Sequence, residues 1–203
     1  MKVTIFDYGA GNLHSLAKAI AAGGADVGIE PDARRAVNTD VLVLPGVGAF
    51  GSAAERLAPG RDAMRTALLG GLPCLGICLG MQLLFDESDE SAQSVGDTRG
   101  LGLISGRVTR LQARRVPQIG WNSLERACDP LLDEAPLRYA YYANSYVCRP
   151  NDESVVRAWS AHEDDRFPAV VRAGNTVGVQ FHPEKSSLPG LRFVRAFLDR
   201  VRQ

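Results

Sequence analysis

LPCLGICLGMQ, residues 72–82, places a cysteine between two glycines at the end of a short apolar run. A strand that turns sharply into a helix can hold one side chain up at the C-terminal edge of a parallel sheet. Such a turn crowds its own backbone, and the flanking positions then favour glycine. Gly76-Ile77-Cys78-Leu79-Gly80 has this nucleophile-elbow form, with cysteine where many hydrolases carry serine. Two chemical consequences attach to the position. The thiol stands at a helix N-terminus, where backbone N–H groups favour a thiolate. The N–H of Leu79 points toward the place where an oxyanion would form. The pentapeptide alone leaves a second reading open, in which Cys78 is a small buried hydrophobe between ordinary turn residues. Cys74, inside the strand between Pro73 and Leu75, reads as core only.

The flanks agree with a strand-to-helix turn. In the first half, strand-like and helix-like runs alternate. Val3–Phe6 is a β-rich run, and Leu13, Leu16, Ala17 and Ile20 recur at helical spacing before Gly23-Gly24. Ala25–Ile29 reads as a second strand. Val41–Leu44 reads as a third, apolar throughout and so interior to a sheet. Residues 51–70 are predicted helical with one break at Pro59-Gly60, residues 73–77 a strand, and 79–86 a helix. Alternation of this kind implies a parallel sheet with right-handed crossovers.

The second half predicts short strands in quick succession: 107–111, 116–119, 137–142, 145–148, 154–159, 168–173 and 176–181. Hairpins there would add antiparallel strands to the sheet. The acidic, Ser-rich piece Asp86–Asp97 reads as a surface loop. Residues 190–202 read as an amphipathic helix with Leu191, Val194, Phe197, Leu198 and Val201 on one face. The fold class is therefore α/β, with a central, mostly parallel sheet flanked by helices and antiparallel strands in the C-terminal half. No stretch resembles an interdomain linker, and residues 1–203 read as a single domain.

Composition narrows the function classes. The 23 basic and 23 acidic residues cancel, which argues against a nucleic-acid surface. No run approaches the roughly 18 apolar residues of a membrane span, and the N-terminus does not read as a signal peptide. Cys74, Cys78, Cys128 and Cys148 lack metal-ligand spacing and read as reduced thiols, so the expected location is the cytoplasm. Neither a zinc cluster nor a dinucleotide fingerprint is present, and no cofactor is expected.

A thiol nucleophile needs a base, and the base needs an orienting group. Of the histidines His14, His162 and His182, the first two lie on a helix and in a charged loop. His182 follows the apolar strand Val177–Phe181 and precedes Pro183-Glu184, so it too lies at a strand end. Glu184 can fix the tautomer and stabilise the imidazolium, as the acid does in other triads. The tripeptide by itself also fits a capping histidine and a solvated acid. With the elbow, a Cys78-His182-Glu184 triad becomes the favoured reading. Pro45-Gly46-Val47-Gly48 follows strand Val41–Leu44 at the same sheet edge and could turn a second N–H toward the reacting carbonyl. Phosphate binding is the alternative for that loop, although it has neither the spacing nor the lysine of a P-loop.

These residues match a known family. DYGAGNLHS at 7–15, LPGVGAF at 44–50, GICLGMQLLF at 76–85, GLGLISG at 100–106, PQIGWN at 117–122 and GVQFHPEKS at 178–186 run from one end of the chain to the other. The chain resembles the class I (triad) glutamine amidotransferases. Within them it is similar to the glutaminase subunits of imidazole glycerol phosphate synthase, from histidine biosynthesis. The elbow and FHPE mark the superfamily; PGVGAF and IGWN followed by FHPEKS are narrower.

The resemblance implies a three-layer fold and a role for each matching position. Cys78 would attack the side-chain amide of glutamine, His182 would carry the proton to ammonia, and Glu184 would hold His182. Leu79 and Val47 would supply oxyanion amides. Gly48, Gln82, Ser145 and Tyr146 would hold glutamine. Ammonia would pass to a (β/α)₈-barrel cyclase/synthase subunit in a heterodimer, which makes imidazole glycerol phosphate and an aminoimidazole carboxamide ribotide. Asn12, Trp121 and Lys185 would face that partner. Lys185 is one of only three lysines against 20 arginines and sits directly after the triad acid. One departure stands out: Asn144-Ser145-Tyr146 replaces the family's usual histidine-serine-tyrosine. The competing readings are a glutaminase serving another synthase, a stand-alone cysteine hydrolase and a non-catalytic subunit. PGVGAF and IGWN argue against the first, and the intact Cys78, His182 and Glu184 argue against the last.

Overall fold

The computed structural model describes residues 1–9, 13–91 and 98–202. Its strands, in chain order, are β1 (Lys2–Phe6), β2 (Asp26–Glu30), β3 (Val41–Leu44), β4 (Cys74–Ile77), β5 (Glu87–Ser88), β6 (Gly106–Arg110), β7 (Gln118–Ser123), β8 (Tyr139–Asn144), β9 (Tyr146–Pro150), β10 (Val156–His162), β11 (Asp165–Ala173) and β12 (Thr176–Val179). The helices are α1 (His14–Ala21), α2 (Ala33–Ala36), α3 (Phe50–Leu57), α4 (Arg61–Leu69), α5 (Leu79–Gln82), α6 (Pro130–Glu134) and α7 (Ser187–Val201).

Among the described residues one sheet has seven strands in the order β10-β11-β12-β4-β3-β1-β2. From β12 to β2 every pairing is parallel, and β10 and β11 extend the sheet antiparallel. The layering follows from the side-chain alternation of strands. Val41 and Val43 of β3 face a core with Leu16 and Ile20 of α1 and Phe193 and Phe197 of α7. Leu42 and Leu44 face the opposite way, onto Phe50 and Leu57 of α3 and Met64 and Leu68 of α4. A strand covered on both faces must be apolar throughout, which is why VLVL reads as it does. Each buried Phe or Leu contributes roughly 1.5–3 kcal/mol.

The expected antiparallel pieces divide in three. β10, β11 and β12 join the main sheet; β6 and β9 form a small sheet with β5, and β7 and β8 form a two-stranded ribbon. Three further expectations are corrected. The helix expected over 79–86 ends at Gln82, because the carbonyls of Leu83, Leu84 and Phe85 accept from the backbone of 101–104 instead. The 86–97 stretch is not wholly a surface loop: it contributes β5, and Ser88 is buried; residues 92–97 lie outside the described residues. On α7 the buried stripe is Gly190, Phe193, Val194, Phe197 and Leu198, while Leu191 is exposed. A residue at 190 or 193 was needed to set the helix phase, and the Phe181–Phe193 ring contact sets it. No helix among the described residues is long and apolar enough to cross a membrane.

Candidate active site

Three neighbouring strands, β3, β4 and β12, deliver the site at their C-terminal ends. β4 ends in the elbow. Cys78 has φ 48° and ψ −103°, a conformation that non-glycine residues rarely adopt. Holding it costs roughly 1–3 kcal/mol. Packing supplies the constraint: a Cβ at Gly76 would lie 2.8 Å from the Gly80 carbonyl oxygen, and one at Gly80 would run into the carbonyl of Leu44 at the end of β3. The glycines thus let the turn and β3 close together. The backbone N–H of Cys78 donates to Val179 at 2.6 Å, tying the elbow to β12.

Beyond β12 the chain passes through Gln180 and Phe181 to His182. His182 is 2% exposed, and its Nδ1 lies 2.8 Å from Glu184 Oε1 across the short Pro183–Lys185 turn. Burial disfavours a charged imidazole here, but hydrogen bonds to Cys78 and Glu184 outweigh it and raise the His182 pKa to about 10. β3 leads into Pro45–Gly48. A Cβ at Gly46 would stand 2.9 Å from His182 Cε1, so this loop lies directly against the imidazole. Gly48 has φ +130°, which a side chain would strain.

A cavity of about 280 Å³ opens above the thiol, at the low end of small-molecule sites. Cys78, Leu79, His182, Val47, Gly48, Gln82, Ser145, Tyr146 and Lys185 all line it. The geometry therefore brings the expected nucleophile, base, oxyanion and substrate positions to one place. Gln82 Nε2 donates to the Tyr146 carbonyl at 3.1 Å and links α5 to the β8–β9 corner. Asn144, buried, donates to the same carbonyl at 3.2 Å. The other two histidines stay apart: His14 is exposed on α1, and His162 bonds the Arg115 carbonyl. Asn12 lies outside the described residues.

Two polar residues at this site escaped the sequence reading. Glu90 lines the cavity, and its Oε2 accepts from the Phe50 N–H at the start of α3. It lies in an acidic, Ser-rich stretch that gives no sign of folding inward. Gln180 is fully buried, and its Nε2 lies 3.5 Å from Cys78 Sγ. The signal for Gln180 was present: it is the one polar residue in VGVQF, two positions before His182.

The β7–β8 ribbon borders the same cavity through Ala143 and Asn144. Its register pairs Ile119 with Ala143, Trp121 with Tyr141 and Ser123 with Tyr139. These six share one face, and on it Ile119 is 68%, Trp121 54% and Tyr139 62% exposed. Three hydrogen bonds lace this ribbon to the histidine. His182 N–H donates to the Tyr141 carbonyl, Tyr141 N–H donates to Ser186 Oγ, and Ser186 Oγ donates to the His182 carbonyl.

The family model for class I glutamine amidotransferases matches residues 4–201. The chain belongs to that family. Curated relatives carry the same assignment to a narrower group. Imidazole glycerol phosphate synthase subunit HisH of Halobacterium salinarum is 45% identical, covering 97% of this chain and 92% of its own length. The subunit HisH of Geobacillus thermodenitrificans is 41% identical over 98% and 96%, and that of Sulfolobus acidocaldarius 39% over 96% and 96%. The chain is thus a glutamine amidotransferase of the HisH group. Among solved structures, a glutamine amidotransferase superposes with a TM-score of 0.76 at 20% identity, covering 99% of both chains. PurLQS from Thermotoga maritima gives 0.69 at 19% identity, with 98% of each chain covered. At such identities the likeness is one of fold.

Proposed function

We propose that this chain hydrolyses glutamine to glutamate and ammonia through Cys78, His182 and Glu184, and delivers the ammonia to a synthase subunit in histidine biosynthesis. The observation that carries the mechanism is the meeting of the elbow thiol with a buried, Glu184-bonded imidazole in one small cavity. Cys78 Sγ attacks the side-chain amide carbon of glutamine, and its proton moves to His182. Glu184 stays ionised and stabilises the imidazolium. The oxyanion is held by the N–H groups of Leu79 and Val47. His182 then protonates the leaving nitrogen, which departs as ammonia and leaves a thioester. Water, deprotonated by His182, releases glutamate and restores the thiol.

Gly48, Gln82, Ser145 and Tyr146 hold the substrate. Glu90 adds a carboxylate, which suits the α-ammonium of glutamine. The partner is a (β/α)₈-barrel cyclase/synthase subunit that uses ammonia to make imidazole glycerol phosphate and an aminoimidazole carboxamide ribotide in the cytoplasm. The exposed aromatic face around Trp121, with Lys185 beside the cavity mouth, supports the docking side. Indole is a frequent interface anchor, and Asn12 completes the set expected there.

The test is glutamate release from glutamine, with and without the barrel subunit and its nucleotide substrate, for wild type and Cys78→Ala. Release that needs the partner and vanishes in the variant is the expected result. Equal release without the partner would replace this reading with a stand-alone hydrolase.

A further inference from the structure

Position 180 directly follows the apolar strand β12 and is fully buried, where leucine or methionine would fill the same volume. A glutamine there leaves Oε1 buried without a protein hydrogen-bond partner among the described residues. Leaving such a group orphaned costs stability. Something must favour the amide, and its other end shows what. The parallel register pairs Gly178 with Gly76 and Val179 with Ile77, so Gln180 follows alongside Cys78. Gln180 and His182 both follow the end of β12 beside one thiol: the Gln180 amide N–H donates to Cys78 Sγ at 3.5 Å, and His182 lines the same cavity as the sulfur.

We propose that Gln180 is a further catalytic residue, whose side-chain N–H donates to the Cys78 sulfur and holds it charged and aimed for attack. This rests on Cys78 being the nucleophile. An N–H aimed at sulfur stabilises the thiolate more than the thiol. It also adds a restraint on the sulfur of a backbone-strained residue. The amide neither takes nor gives a proton, so the division of work is clear: His182 moves protons, and Gln180 steadies the charge that remains.

The experiment uses Gln180→Leu and Gln180→Met in the complex with the barrel subunit. Two quantities are read: glutaminase kinetics, and the rate at which iodoacetamide modifies Cys78, followed by peptide mass. The proposal expects kcat to fall about tenfold or more, with KM for glutamine little changed, the signature of an interaction made to the reacting atoms. It expects alkylation at pH 7 to slow by a similar factor. Folded variants alkylated at the wild-type rate would overturn it. A third measurement needs no change at position 180. The side-chain N–H resonance of Gln180 should move between wild type and Cys78→Ala; an unmoved resonance also overturns the proposal. Alkylation requires no turnover. A chain inactive on glutamine but showing the contrast would sink the proposed function and leave this inference standing.

Discussion

The two ends of β4 hold the same side chain in opposite circumstances. Cys74 and Cys78 are four residues apart, and both are buried, at 0% and 5% exposure. Around Cys74 the core is apolar, and burial pushes its thiol pKa well up. Around Cys78 stand an imidazole that lines the same cavity and an amide whose N–H donates to the sulfur. Burial alone thus makes a cysteine inert. What makes the second one chemical is its place on the elbow, where β3 and β12 can bring polar groups to it.

The sharpest way to break this contrast is to remove each sulfur. Cys78→Ala should lower glutaminase activity of the complex by about 10⁴-fold or more, as loss of a nucleophile does, while Cys74→Ala should leave kcat near wild type. Iodoacetamide labelling should likewise mark Cys78 and spare Cys74 in the folded protein. Equal labelling of the two would end the comparison.

Glu184→Gln tests the electrostatic side. The ordinary histidine pKa is 6.5, and that of His182 is about 10 in the folded chain. A raised folded-state value means that protonated His182 stabilises the fold fully below pH 6.5. That contribution is lost as pH rises through about 10. Removing the carboxylate should bring the imidazole titration down toward 6.5, visible in its NMR shift, and lower kcat by roughly 10²-fold. An unmoved titration would show that Glu184 plays no part in holding the charge.

Gly80→Ala asks whether the elbow's shape is needed. Its Cβ would meet the Leu44 carbonyl, so β3 and α5 must part. Thermal unfolding should register a loss of about 1–3 kcal/mol, typical of overpacking, together with lost activity. Asn144→His should matter least. Among the described residues the Asn144 side chain bonds the Tyr146 carbonyl and leaves the triad untouched. Activity within about threefold of wild type, ~0.6 kcal/mol, is expected in the complex; a folded, partner-bound but dead variant would give position 144 a role that the triad does not explain.

How much could be read before folding differs between these regions. The β4 elbow, the β3 loop and the His182-Pro183-Glu184 turn were legible because strained or crowded backbone demands glycine and proline at fixed spacing. The main parallel strands were legible because burial on both faces makes them apolar throughout. Glu90 was not, since a carboxylate folded inward looks like any other in an acidic segment until the Phe50 N–H is opposite it. On α7 the expected Val194, Phe197 and Leu198 do face the core, but Leu191 stood in for Phe193, because both fit hydrophobic spacing and the ring of Phe181 meets Phe193. The division of antiparallel strands into a sheet extension, a small sheet and a ribbon depends on pairing between distant segments, which local pattern does not contain.

The closed ring of bonds among Tyr141, Ser186 and His182 has a mechanical side. It contains two backbone N–H groups, two carbonyls and a single hydroxyl, and none of them carries charge. Screening by salt leaves such bonds almost untouched. The ribbon and the main chain of His182 are therefore joined as two arms of one lever. Trp121 and Tyr141, edge to face, form the long arm at the surface, and the main chain of His182 is the short one. Any body that seats on the indole and shifts the ribbon must carry the histidine with it or snap the Ser186 hydroxyl out of the ring.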